Sequence, residues 1–188
     1  HVLSRVVRPS GLVSGERLFD LSERINEQLL KVLSPAGLTL TLAGSIKTGI
    51  TKCISHIAVD AAGMDQLLAV VDRNENCVRI YKVEGGEHLL TIGPKVEGLG
   101  SWAEPRGVCF NALGEMLVSD SLQGRIHSFA RDGRYLRSIG KEGRKEGELR
   151  SPDHLAVSPQ AHIIVCDTGN QRVQVLREDG TFVRAFGR

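Results

Sequence analysis

Aromatic residues make up only 4% of this 188-residue chain: five Phe, two Tyr and one Trp. Leu and the β-branched residues must therefore fill the core, and 188 residues are enough to bury an ample one. No apolar run is long enough to cross a bilayer, and no signal-peptide pattern heads the chain, so no membrane partner is expected. Cysteine is sparse. Cys53, Cys77, Cys109 and Cys166 include no Cys-x-x-Cys pair, which argues against a disulfide framework and against a zinc site. Free thiols of this kind read as a reducing compartment, the cytoplasm by preference. Cys109 and Cys166 fall in expected strands as small core residues. Net charge is only +2. That permits a local basic patch but gives no reason to expect DNA binding. The chain shows no Ser-His-Asp order, no Gly-rich phosphate loop and no paired catalytic acids. No catalytic residue and no cofactor are assigned.

What the chain does contain is a repeat. Pro105 to Gly140 matches Pro152 to Gly187 without a gap, pairing Asp120 with Asp167, Arg125 with Arg172 and Gly133 with Gly180. An earlier copy over about 54–93 carries Ile57-Ala58-Val59-Asp60, Gly63, Asp72, Tyr81 and Gly85. A worn copy over 9–44 keeps Pro9, Gly11, Leu21, Leu33, Gly37 and Gly44. Repeats of this length that divide into four short strands are propeller blades. The expected fold is thus all-β: one propeller domain or fragment over 1–188 with four visible repeats.

In the third copy Val108–Phe110, Met116–Val118, Ile126–Phe129 and Tyr135–Ile139 read as the four strands, from inner to outer. Arg131-Asp132-Gly133 signals a tight turn, because glycine takes positive φ without a Cβ clash. Asp120 and Arg125 flank one turn, and Asp167 and Arg172 flank its counterpart. Each pair is expected to join a carboxylate to a guanidinium as structural turn chemistry. In the second copy Asp72 persists but Cys77 replaces the Arg, and the first copy has Arg24 and Leu29 there, so those blades should be less regular.

Asp-Thr-Gly-Asn-Gln-Arg-Val-Gln-Val (167–175), followed by Glu-Asp-Gly and Phe-Val-Arg-Ala-Phe-Gly, resembles the NHL repeat. The resemblance is strong over 105–188, moderate over 54–93, and rests mainly on spacing over 9–44. It implies a ring of about six blades. It also implies kinship with the C-terminal propellers of tripartite-motif RING ubiquitin ligases, which recruit protein or RNA substrates and often act in RNA control or innate immune signalling. The chain starts at His1 and stops just after Gly187, which reads as a fragment. Val2–Val7 is expected to belong to a neighbouring blade or to close the ring, and the parent is expected to oligomerise, if at all, through segments not in this sequence.

Residues 18–33 have a rival reading. Leu18, Leu21, Ile25, Leu29 and Leu33 recur at helical spacing, with Ser22 as a cap and Pro35 as a stop. The gapless match to the other copies favours strands.

Ligand contact is expected on the face built from the loops between blades and the turns between second and third strands. The loop 141–150 carries Lys141, Arg144, Lys145 and Arg150. Arg73 and Arg106 border neighbouring loops. These residues are candidates for phosphate or acidic-protein contact. Trp102, in the loop 94–104, reads either as an exposed anchor for a base or side chain or as a lid over the blade junction. His56 and His154 hold the same place in copies two and four, near the expected central channel. They define an alternative: a metal-dependent propeller hydrolase or lyase whose third ligand lies elsewhere. The preferred reading is a non-catalytic module binding protein or RNA.

Overall fold

The computed structural model describes residues 31–32, 41–42, 54–60 and 66–187. Two compact units divide the chain, His1–Lys47 and Thr48–Arg188. In the first, β1 (Lys31–Val32) pairs antiparallel with β2 (Thr41–Leu42). Apart from β1, the 18–33 stretch with its two readings lies outside the described residues, as do Val2–Val7 and Cys53.

The second unit contains three four-stranded antiparallel meanders. The first blade is β3 (Ile54–Asp60), β4 (Leu67–Asp72), β5 (Cys77–Lys82) and β6 (His88–Ile92). A short hairpin follows, β7 (Lys95–Val96) with β8 (Gly100–Ser101). The second blade is β9 (Pro105–Phe110), β10 (Met116–Asp120), β11 (Arg125–Phe129) and β12 (Tyr135–Ile139). The third is β13 (Pro152–Val157), β14 (Ile163–Asp167), β15 (Arg172–Leu176) and β16 (Phe182–Gly187). The strands expected in the third copy are all present, and no α-helix occurs among the described residues.

The turns follow the expected chemistry. Gly133 and Gly180 close the third-to-fourth-strand turns at φ +86 and +88, a region an L side chain rarely enters. The amide of Gly133 donates to Ala130 O and that of Gly180 to Arg177 O, both at 2.9 Å.

Strand alternation explains how blades with few rings still pack. Neighbouring residues point to opposite faces of a sheet, so the second blade serves two cores. Val118 and Met116 face backward and join Ala69, Val71, Val78 and Ile80 of the first blade, with Val108 and Phe129. Leu117, Cys109, Ile126 and Ile139 face forward and join Leu155, Ile163, Val165 and Leu176 of the third blade. Sheets covered on both faces need continuous rather than alternating apolar runs, and all six residues of Leu67–Asp72 are buried.

The loops between blades complete these cores. Trp102 fills the first and Leu149, its counterpart 47 residues on (102 to 149), fills the second. Trp102 is only 3% exposed, and its Nε1 donates to Asn76 O at 2.7 Å. The exposed-anchor reading of Trp102 is therefore corrected. The indole packs edge-on to Phe129 at 5.4 Å, because the space between two blades at the loop end is apolar and needs a large plug.

The inner strands β3, β9 and β13 approach without forming a common ladder. Ser55 Oγ donates to Arg106 O at 2.9 Å. Ser119 Oγ accepts from Gly107 N and donates to Asp153 O. A Cβ on Gly107 would stand 2.5 Å from Asp153 O, so only glycine permits this approach.

Cys77 and Cys109 are buried free thiols, and burial pushes the Cys109 thiol up to about 12. Cys166 lies in β14 as expected but is exposed. Its side of the third blade faces away from the second, so the expected core role is corrected.

Candidate functional site

Each blade holds a buried aspartate at the end of its second strand: Asp72, Asp120 and Asp167. Asp72 caps the turn that follows through the amides of Asn74 and Glu75, and Asp120 and Asp167 also hold the loop from the preceding blade. In the second blade Asp120 accepts from the amides of Ala103 at 2.7 Å, Glu104 at 3.2 Å, Leu122 at 3.1 Å and Gln123 at 3.0 Å. Burial opposes its ionisation, but the His127 ring and these amides outweigh burial and hold the carboxyl below its usual value. In the third blade Asp167 accepts from Arg150 N at 2.6 Å, Arg172 Nε at 2.7 Å, Asn170 Nδ2 at 2.9 Å and Gln174 Nε2 at 3.0 Å.

The expected Asp–Arg pair is thus present in the third blade only. Arg125 sits opposite Asp120 across the ladder, yet it is exposed, and that half of the expectation is corrected. The recurring partner lies two residues further along the third strand. Arg79 donates to Asp72 from Nε and Nη2 at 3.4 Å. His127 Nε2 lies 3.7 Å from Asp120 Oδ2, too long for a full hydrogen bond. Gln174 meets Asp167 directly. Two residues is one strand period, so this side chain points to the same face as the expected Arg but sits deeper. The signal was present in the sequence: a polar residue recurs at this place in the third strands, as Arg79, His127 and Gln174. It also explains how the first blade keeps a full four-stranded ladder with Cys77 in the Arg position.

The third blade clamps the loop 141–150 through this hub. Arg172 Nη2 donates to Lys145 O at 2.7 Å and Glu148 O at 2.9 Å. Gln174 Nε2 donates to Glu148 O at 2.7 Å, and its Oε1 accepts from Gly147 N at 3.0 Å. Asn170 Nδ2 donates to Gly143 O at 2.9 Å. Inside the loop the Glu148 carboxylate accepts from the amides of Arg144 and Lys145 and pairs with Lys141 Nζ at 3.4 Å. Hydrogen bonds from the Lys145 backbone and Lys141 bring its pKa below the usual carboxylate value. A loop that reads in sequence as a solvated charge run is held by its neighbour.

The clamp builds a cleft of about 350 Å³ lined by Arg144, Arg150, Gly169, Asn170, Gln171 and Arg172. Arg172 is committed to Asp167 and the loop carbonyls. Arg144 and Arg150 are exposed, and their guanidinium groups have no partner among the described residues. Lys145 lies on the same loop and is exposed, while Lys141 is neutralised by Glu148. Of the other expected contact residues, Arg73 and Arg106 both reach Glu104 Oε1, at 3.2 and 2.8 Å. They share that one carboxylate in a separate cluster. The structure thus brings Arg144 and Arg150 together and sets Arg73, Arg106 and Trp102 apart from them.

His56 and His154 do meet, with ring centroids 4.6 Å apart. Burial, His154 and, in opposition, Asp153 leave the His56 pKa below the ordinary value. His56 Nδ1 accepts from Val108 N–H at 3.0 Å, so the neutral ring carries its hydrogen on Nε2 and offers no lone pair there. No group of three or more His, Cys, Asp or Glu suited to a metal occurs among the described residues. The pair brings no third ligand with it among the described residues.

Residues 149–176 match the family model of the NHL repeat, the span that contains the hub of the third blade. No curated protein matches the chain in sequence. Among solved structures the chain is similar to a protein of unknown function from Bacteroides thetaiotaomicron, at 18% identity and TM-score 0.59, over 77% of this chain and 38% of that one. It is also similar to a catalytically inactive virginiamycin B lyase from Staphylococcus aureus with quinupristin, at 11% identity and TM-score 0.56, over 81% and 47%. Hydrazine synthase of Kuenenia stuttgartiensis follows at 15% and 0.56, over 77% and 40%. This chain spans less than half the length of these structures, and identities this low speak to fold alone. The chain carries an NHL repeat on a propeller-type scaffold of four-stranded antiparallel blades.

Proposed function

We propose that this chain is a non-catalytic interaction module that recruits a protein partner through the face bearing the loop 141–150. A propeller of this kind supplies a rigid platform, and its function resides in the loops it presents. The observation that carries the reading is the arginine cleft. Two uncompensated guanidinium groups, Arg144 and Arg150, stand on a loop fixed by the Asp167 hub. The resemblance of 105–188 to the propellers of tripartite-motif proteins supports a finer proposal: the C-terminal substrate-recognition part of a cytoplasmic RING ubiquitin ligase.

A photo-crosslinking residue at Gln171, beside the cleft, is expected to capture a partner in cells. One at Leu113, on the turn between β9 and β10 of the second blade, is not. Arg150→Glu should abolish the Gln171 capture while the melting temperature stays unchanged. Equal capture from both positions would overturn the reading. The second reading, a metal-dependent hydrolase or lyase at His56 and His154, is favoured by their ring contact and opposed by the His56 tautomer. A stoichiometric metal in the purified protein that is lost in His154→Ala would restore it.

A further inference from the structure

We propose that the arginine cleft is a receptor for a phosphoryl group carried on a protein side chain, a phosphoserine or phosphothreonine of the partner. This rests on the interaction-module reading and names the chemistry of the site.

The charge of the cleft selects an anion. Its lining contains three arginines and otherwise only Gly169, Asn170 and Gln171. The acids that sequence places nearby are consumed or outside. Asp167 is buried in four hydrogen bonds, Glu148 is capped by its own loop, and Glu142 and Glu146 do not line the cleft.

The donors select a phosphoryl group over a carboxylate. Arg144 and Arg150 each present a planar fork with no acceptor among the described residues. Two forks match the three terminal oxygens and the nearly double charge of a phosphoryl group. One carboxylate occupies a single fork.

The shape selects a group on a macromolecule. Arg144, Arg150, Gly169 and Gln171 are all exposed, so the cleft cannot enclose a small metabolite as an ordinary ligand pocket does. A protein partner covers an open cleft with the residues that flank its phosphoryl group.

The surroundings select protein over RNA. Single strands are held by aromatic platforms together with a basic track. Among the described residues the only exposed Phe, Tyr or Trp ring is Phe186, at 54%, and Arg184 already lies over it at 5.4 Å. Trp102 and Tyr81 are buried. Glu142 and Glu146 flank the basic residues and would repel a continuous polyanion.

The site is also built in advance. Arg172, Gln174 and Asn170 fix the loop backbone through Gly143, Lys145, Gly147 and Glu148, so little ordering cost falls on binding.

The test uses the full chain and four probes: a degenerate nonapeptide pool with central phosphoserine, the same pool with serine, the pool with glutamate, and a ten-nucleotide uridine RNA. Fluorescence polarisation at fixed ionic strength is expected to show the phosphoserine pool binding about tenfold or more tighter than either peptide control. Inorganic phosphate should compete. Arg144→Gln and Arg150→Gln should each lose most of that preference with an unchanged melting temperature, since neither side chain holds the loop. Arg125→Gln, an exposed arginine outside the cleft, should bind as the parent does.

Equal binding of the phosphoserine and serine pools would overturn the phosphoryl assignment. If Gln171 still captured a protein in cells, the interaction-module reading would survive alone. Equal binding of the phosphoserine and glutamate pools would reduce the site to general acidic recognition and overturn the proposal. Tighter RNA binding, lost in the same two variants, would overturn it in favour of a nucleic-acid contact.

Discussion

Arg172 joins Asp167 to the loop of the preceding blade. Its Nε is 2.7 Å from Asp167 Oδ2, and its Nη2 reaches the carbonyls of Lys145 and Glu148. One guanidinium thus satisfies a fully buried carboxylate and two loop carbonyls. Arg172→Ala is expected to destabilise the fold by about 2–3 kcal/mol, because the carboxylate loses a charged partner and stays buried. Arg144→Ala, an exposed side chain without a partner, should stay within about 0.5 kcal/mol of the parent. Urea unfolding of the two variants checks this, and equal midpoints would contradict it.

Trp102 plugs the junction of the first and second blades. Trp102→Ala should cost about 3–5 kcal/mol, the range for deleting a buried aromatic, and frees the carbonyl of Asn76. Chemical unfolding measures the loss. A variant of near-parental stability would mean that the indole does not carry this core.

His127 occupies the place that Gln174 holds in the third blade. Its Nδ1 meets Ser138 Oγ at 2.8 Å, and Ser138 Oγ in turn meets Tyr135 Oη at 2.8 Å. His127→Gln keeps a donor directed at Asp120 and should cost under about 1.5 kcal/mol. His127→Leu removes the Ser138 hydrogen bond and leaves only apolar surface beside the buried Asp120 carboxylate, and should cost about 1–3 kcal/mol. Matching melting temperatures for the two variants would refute the hub role of this position.

His56 gives the fold a pH dependence of defined sign. Its folded pKa lies below the ordinary value of 6.5, chiefly through burial and then through His154. The unfolded chain therefore takes up the proton first. The His56 contribution is complete above pH 6.5 and declines as the pH falls from 6.5 toward the folded pKa. Protonation also removes the Nδ1 acceptor that binds Val108 N–H. Melting temperature should fall on acidification through this window, and His56→Gln should flatten that part of the profile. An unchanged slope in His56→Gln would assign the effect elsewhere.

The repeat was legible because a blade is a local object. Glycine at Gly133 and Gly180, polar turns after Asp120 and Asp167, and short apolar runs set strand positions within a few residues. The third-copy strands appear where the pattern places them. The basic residues of the cleft were legible by type and by loop, since Arg144 and Arg150 lie in one charged segment.

Beyond the Asp167–Arg172 pair, contacts between elements were not legible. Asp120 and Arg125 are direct cross-strand neighbours, yet the carboxylate is taken by loop and turn amides while Arg125 turns to water. Trp102 and Leu149 share a place in the repeat, but only the packed interface shows that this place is interior. Cys166 and Cys109 both lie in strands, and the difference in burial depends on which blade covers each face.

Sequence by itself determined the strands, their turns and the repeat of the buried aspartate, because turn geometry and alternation act over a few neighbouring residues. Tertiary structure decided which charges remain free. Sequence already joined Arg172 to Asp167, five residues away. Only packing shows that the same guanidinium also holds Lys145 O and Glu148 O, and so fixes the loop with Arg144 and Arg150 facing one open cleft.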